Sequence, residues 1–276
     1  MIGEDADFTF EIIGEKINGF VPRTGKAIQE KDADYIKEIA VAQSEAGADY
    51  LDCCPATNEG ALETMKWLVD LIQEVSDVPI ALDSPGADIL LASMDFVNKP
   101  GIINSSSLSG GKDDVLFPVV AGTDWKVVVM LDDDNGIPPT AEGRIEIFKY
   151  NLEKAAHYGV KPEQLYFDPL VETLGTNSES LLTFAKVCRA IKAEEPACHL
   201  TSGLSNISFG LPSRKHINMP FLTLAMEAGM DSAIIDPLNR DLMGVIYGTF
   251  ALLGYDDFCM EYLQGYRDEL FGPVNR

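Results

Sequence analysis

The sequence is poor in the residues used for nucleophilic, metal and phosphate chemistry. It has three histidines, His157, His199 and His216, and no two stand at metal-ligand spacing. Five cysteines, Cys53, Cys54, Cys188, Cys198 and Cys259, form no CxxC and leave one thiol over, which argues against a secreted disulfide framework. No GxGxxG turn follows the first strand-like run, where "GEKINGF" stands instead. Basic residues are scarce. The 21 Lys and Arg face 44 Asp and Glu, a formal charge of −23 that repels nucleic-acid phosphate and anionic lipid. Much of that excess serves solubility. No apolar run is long enough to span a bilayer, and "MIGEDADFTFEIIGE" is acidic where a signal peptide is basic. The expectation is a cytoplasmic protein that uses neither nucleic acid nor membrane. Its substrate is a small molecule or its partner a protein.

What remains is an ordinary globular composition, 46% hydrophobic and 24% charged over 276 residues, arranged in strict alternation. Short apolar runs predict strands at Phe8–Ile13, Tyr50–Cys53, Pro79–Leu82, Gly101–Ile103, Lys126–Leu131, Gln164–Phe167, Cys198–Thr201 and Ser232–Ile235. Helical spacing separates them. Tyr35, Ile39, Ala42 and Ala46 share a face, as do Ile145, Phe148, Leu152 and Ala155/Ala156, and Leu181, Phe184, Ala185, Cys188 and Ile191. "AGADYLD", "YGVKPEQLYFD" and "AGMDSAIID" each place a glycine between a helix and a strand, as a helix stop. Eight such units predict an α/β fold, a (β/α)8 TIM barrel. An open doubly wound sheet is the competing fold and would show a Gly-rich first turn. No linker divides residues 1–276, so one domain is expected, with 255–276 a helix or tail appended to it.

Barrel active sites form at the C-terminal ends of the strands. Those ends carry Asn18, Asp52, Asp83, Asn104, Asp132, Asp168, Asn206 and Asp236. Asp and Asn also cap helices and make turns, so part of this set is expected to be structural. The set nevertheless holds only carboxylates and amides. Lys126 precedes its strand and belongs to the opposite face, which disfavours a Schiff base. Asp accepts hydrogen bonds and Asn both donates and accepts, a combination suited to a neutral polar heterocycle.

At these residues the chain resembles the methyltetrahydrofolate:corrinoid-protein methyltransferases, a family of pterin-binding barrels. The resemblance runs in order through "IIGEKING", "IALDS", "GIINS", "YFDPL", "GLSNIS" and "INMPFLTLAMEAGMDSAIIDP", nearly the whole chain. It implies methyl transfer, in either direction, between N5 of (methyl)tetrahydrofolate and the cobalt of a corrinoid (cobalamin) carried by a partner protein. The enzyme would hold no metal of its own and would be a homodimer. It assigns pterin binding to Asp83, Asn104, Asp168 and Asn206, with Gly203 and Ser205 assisting. Asn206, in "TSGLSNISFGLPSRKHIN", would act beside N5. Asn18 and Arg214 match family positions more loosely.

Two departures stand out. "LDCCPAT" places Cys53 and Cys54 at a wall of the site, where they are expected as small packed side chains, and Ser202 and "LPSRKH" differ around Asn206. A non-catalytic folate-binding or corrinoid-protein docking subunit is an alternative, since the same residues would serve binding alone. A dihydropteroate synthase-like pterin enzyme is another. That enzyme would carry an "N-x-T-x-D-S-F"-like first loop and an Arg-x-His ending, whereas "EKINGFVPRTG" and "IIDPLNRD" stand here.

Overall fold

The computed structural model describes residues 2–3, 8–57 and 59–273. Its strands are β1 Glu11–Asn18, β2 Tyr50–Cys54, β3 Ile80–Asp83, β4 Ile102–Ser106, β5 Lys126–Met130, β6 Leu165–Asp168, β7 His199–Leu200 and β8 Ser232–Ile235. The helices α1 Pro22–Glu30 and α2 Ala33–Glu45 follow β1, and α3 Ala61–Val75, α4 Ala87–Met94 and α5 Lys112–Val120 follow the next three strands. After β5 come α6 Ala141–Tyr158, α7 Ser180–Glu194, α8 Lys215–Glu227, α9 Arg240–Leu252 and α10 Met260–Arg267. All strand pairs are parallel, in the order β7-β6-β5-β4-β3-β2-β1-β8. The ring closes through bonds outside the regular ladder, Ile234 N–H to the Ser202 carbonyl at 2.9 Å and Asp231 N–H to the Leu200 carbonyl at 3.3 Å. The fold is a (β/α)8 TIM barrel.

All eight strands lie at or beside the runs expected from the sequence. The largest shift is in β1, which continues through Glu15, Lys16 and Asn18. Those polar residues lie at the barrel mouth, which hides them from a search for apolar runs. The glycine stops hold, with Gly47, Gly159 and Gly229 at φ of 89°, 87° and 106°. Two helix faces are rotated. In α2 the buried stripe is Tyr35, Ile36, Ile39, Ala40 and Gln43, and in α6 it includes Arg144, Ile147, Phe148, Asn151 and Ala155. Ala42, Ala46, Ile145 and Leu152 are only half-buried. Beyond α9 the chain wraps back. Phe271 is buried against Tyr247 and Tyr262, with ring centroids 5.1 and 4.9 Å away. Residues 274–276 of the expected tail lie outside the described residues.

The barrel interior is filled by Ile13, Tyr50, Ala81, Ile102, Val128 and Tyr166. Beneath them the Lys126 ammonium donates to the Tyr50 and Tyr166 hydroxyls at 2.6 and 2.7 Å and pairs with Glu11 at 3.3 Å. Lys126 therefore closes the N-terminal end, as the sequence suggested. This plug leaves the opposite mouth as the place where polar groups can meet a ligand.

Gly101 sets the approach of β4 to β3, because a Cβ there would stand 2.0 Å from the Ile80 carbonyl oxygen. Backbone cannot yield as a side-chain tip does. Gly101→Ala is expected to cost about 1–3 kcal/mol or more in urea unfolding. An unchanged midpoint would contradict this packing.

Candidate active site

The strand order brings together Asp52, in the middle of β2, Asp83, at the end of β3, and Asn104, in the middle of β4, with Asp83 the register partner of Asn104. Asp52 is buried and accepts from Asn18 Nδ2 at 3.2 Å and from Asn104 Nδ2 at 3.4 Å. Asn18 also accepts the Phe20 N–H at 3.0 Å, so both ends of its amide are engaged by the protein. Burial, followed by the charge of Asp83, holds the Asp52 carboxyl well above the usual carboxylate range. Asp83 is pushed up to about 6 by burial, against the opposing effects of a Cys54 hydrogen bond and the Lys112 charge. It lines a cavity of about 430 Å³ together with Phe20, Cys54, Ser105, Lys112 and Met130.

The two cysteines differ, because neighbours on a strand point to opposite faces. Cys53 is core, its thiol 3.6 Å from the Met65 sulfur. Cys54 is more than a packed side chain, since it faces the cavity and Asp83.

Asp168 ends β6 and is the register partner of Met130, on the same side of the mouth. Its carboxylate accepts the Leu170 N–H at 2.8 Å. Burial raises its pKa to about 7, opposed by that hydrogen bond and by the Arg144 charge. Asp83 and Asp168 are thus carboxyls whose ionisation is only weakly favoured near neutrality. Donors from a bound heterocycle would tip them to the charged form.

Asn206 lies in a turn of 3-10 helix, Leu204–Ser208, above β7 and β8. It is exposed, and among the described residues its side-chain amide has no hydrogen-bond partner. The amide folds back over Gly203, where a Cβ would stand 3.1 Å from Asn206 Nδ2. Any side chain at 203 would crowd it. Arg214 grips this loop, donating to the Ser208 hydroxyl at 2.9 Å and to the Ser205 carbonyl. Ser205 and Arg214 also line a second cavity of about 310 Å³, with Glu15, Asn218 and Asp236. There Lys16 pairs with Asp236 at 3.1 Å, and burial lifts Glu15 to about 7.

None of the eight strand-end residues is the N-cap of the helix that follows. Asn18, Asp168 and Asp236 do accept a backbone N–H two residues on, as in Asx turns. The sequence reading left Asp52 and Lys112 out of the site. Asp52 was visible as a strand end, and only its bonds to two amides show its importance. Lys112 opens a helix in a Gly-rich turn and carried no signal.

Residues 23–236 match the family described as pterin binding enzyme. The chain belongs to this pterin-binding family. It is 46% identical over 266 residues to the methylcorrinoid:tetrahydrofolate methyltransferase of Eubacterium limosum, covering 95% of this chain and 98% of that protein. It is 31% identical to a methionine synthase of Mycobacterium leprae, of which it spans 21%. Dihydropteroate synthase of Xanthomonas albilineans, in complex with 7,8-dihydropteroate, shares the fold with a TM-score of 0.65. That match has 15% identity over 89% of this chain and 94% of that one. At that identity the likeness concerns the barrel alone. Among pterin-binding family members, the Asp and Asn set is the feature to test.

Asp168 gives a stability test. Its folded pKa of about 7 lies above its ordinary 3.8. Below the ordinary value the carboxyl is protonated in both states. As pH rises through 7 the folded protein must ionise it against burial, and stability is lost. Asp168→Asn, which keeps the acceptor for Leu170, should raise the melting temperature by a few degrees at pH 8 relative to pH 4. An equal effect at both values would contradict the burial argument.

Proposed function

We propose that the chain is a methyltransferase that moves a methyl group between the cobalt of a corrinoid protein and N5 of tetrahydrofolate. One observation carries the reading: the likeness to the Eubacterium limosum methyltransferase extends over nearly the whole of both chains. The site suits it. Asp83 and Asp168 would accept from the pterin amine and ring N–H groups, and Asn104 would hold Asp52 while offering its own oxygen. This favours the methyltransferase over a dihydropteroate synthase-like enzyme, whose likeness is confined to the fold.

The corrinoid, borne by a partner protein, supplies a methyl group on cobalt and keeps the electron pair when that bond breaks. The chain's own residues then have two tasks. Asp83 and Asp168 fix the ring, so that N5 is presented in one orientation. Asn206 serves N5 itself. Its oxygen accepts the N5–H of tetrahydrofolate, which directs the lone pair toward the methyl carbon. N5 loses that proton to water once it carries the methyl group. In the reverse direction N5 first regains that proton from water, and the Asn206 oxygen holds the N5–H as the methyl group leaves for cobalt. Neither role needs a strong acid, and both rely on preorganised hydrogen bonding. An amide that has no hydrogen-bond partner among the described residues is free to do this.

The same reading gives a cytoplasmic homodimer with one pterin-binding domain over 1–276. The single domain is supported by the docking of Phe271 on α9, and the homodimer and the location rest on the resemblance alone.

The test is turnover of methylcobalamin with tetrahydrofolate, followed in the cobalt spectrum. Protein-dependent demethylation is expected, and folate binding without it would favour the docking-subunit alternative. Asn206→Ala should slow transfer about 10- to 100-fold, the equivalent of one hydrogen bond to a charge-developing atom. Cys53→Ala, in the core, should leave turnover within about twofold. Wild-type rates for Asn206→Ala would remove Asn206 from the mechanism.

A further inference from the structure

Asp168 and Asn206 are separate members of the site. They come from different loops, and a pterin held by one while methylated beside the other requires a fixed distance between them. We propose that Arg144 is the positioning residue that sets this distance, by holding the loop after β6 against the loop that carries Asn206. The proposal rests on the methyltransferase reading.

Arg144 lies in the first turn of α6 and is fully buried, at 0% exposure. A buried guanidinium is costly unless its donors are satisfied. Here Nε donates to the Pro138 carbonyl at 2.9 Å, and Nη1 to the Pro169 and Leu170 carbonyls at 2.7 and 2.6 Å. Nη2 pairs with Glu172 at 2.6 Å. Only a forked cation reaches all four acceptors. Pro169 and Leu170 directly follow Asp168, and the Leu170 N–H is the one that Asp168 accepts. Leu170 has φ of 63°, a left-handed conformation that a leucine adopts only under constraint from its surroundings.

Hydrogen bonds then join this loop to the one that carries Asn206. Glu172, fixed by Arg144, also accepts from Asn177 Nδ2 at 2.9 Å and donates its own N–H to the Ser180 hydroxyl at 3.1 Å. Between these anchors the Leu174 N–H donates to the Ile207 carbonyl at 2.9 Å. The Thr173 hydroxyl donates to the Phe209 carbonyl at 2.8 Å. Ile207 adjoins Asn206, and the Phe209 N–H returns to the Asn206 carbonyl at 3.1 Å. An unbroken path of hydrogen bonds and short chain segments therefore joins Arg144 to both residues. The bland alternative is that Arg144 only satisfies loop carbonyls for stability. Two readouts separate the cases, because Arg144 also acts on Asp168 as a charge. The other titratable groups facing Asp168 are Asp132 and Cys188.

The experiment compares Arg144→Met, Arg144→Lys and Thr173→Val. Tetrahydrofolate binding is measured by calorimetry from pH 5.5 to 9, and turnover with methylcobalamin. Arg144→Met should move the acid limb of folate binding up by about one pH unit and lower kcat about 10- to 100-fold. Arg144→Lys keeps the charge without the fork. It should restore the acid limb while kcat stays low. Thr173→Val, at a half-buried loop position, should lower kcat with the acid limb unmoved. It carries the test if Arg144→Met does not fold. Wild-type kcat in Thr173→Val, or a folded Arg144→Met with the wild-type acid limb, would overturn the proposal. Absence of folate binding by the wild-type protein would instead overturn the function on which it rests.

Discussion

Carboxylates held out of water at the mouth of the barrel are the constraint on which the rest of the structure depends. Asp52, Asp83 and Asp168 all sit where ionisation is opposed by burial. An isolated buried charge would neutralise or break the fold. Asn18 and Asn104 answer for Asp52, Cys54 and Lys112 for Asp83, and the Leu170 N–H with the Arg144 charge for Asp168. Among the described residues none of these carboxylates is cancelled by a close ion pair. They keep acceptor capacity for a ligand that brings its own donors. Such a site lowers the stability of the free protein in exchange for binding, as functional sites commonly do.

The two ends of the barrel solve the same problem differently. At the N-terminal end Lys126, Glu11, Tyr50 and Tyr166 are hydrogen-bonded to one another. At the C-terminal end the groups are only partly satisfied, and the Asn206 amide has no partner among the described residues. Function follows from that asymmetry more than from any single reactive residue. A reaction whose nucleophile or methyl donor arrives on another protein needs no strong acid or base built in here.

The architecture was legible because parallel strands buried on both faces are short apolar runs, and glycines mark the helix stops. Asp83, Asn104, Asp132, Asp168 and Asp236 were legible for the same reason, each being the first polar position after its run. What escaped was whatever depends on contacts between distant segments. β1 extends five residues past its apolar run because Glu15, Lys16 and Asn18 face the mouth. Arg144 reads as a surface residue on an amphipathic helix, and its burial is explained by the carbonyls of 138, 169 and 170 together with the Glu172 carboxylate. Cys53 and Cys54 look equivalent in sequence, and strand alternation sends one to the core and the other to Asp83. Lys112 has a role only because the start of α5 lines the same cavity as Asp83.

The most direct test of the central claim is the number of protons released when tetrahydrofolate binds near pH 6.5, from calorimetry in buffers of different ionisation enthalpy. Pterin N–H donors should favour the ionised forms of Asp83 and Asp168, which stand near 6 and 7 in the free protein. The account predicts net proton release that diminishes in Asp168→Asn and fades above pH 8. Binding with no proton release at pH 6.5, or with uptake, would contradict it.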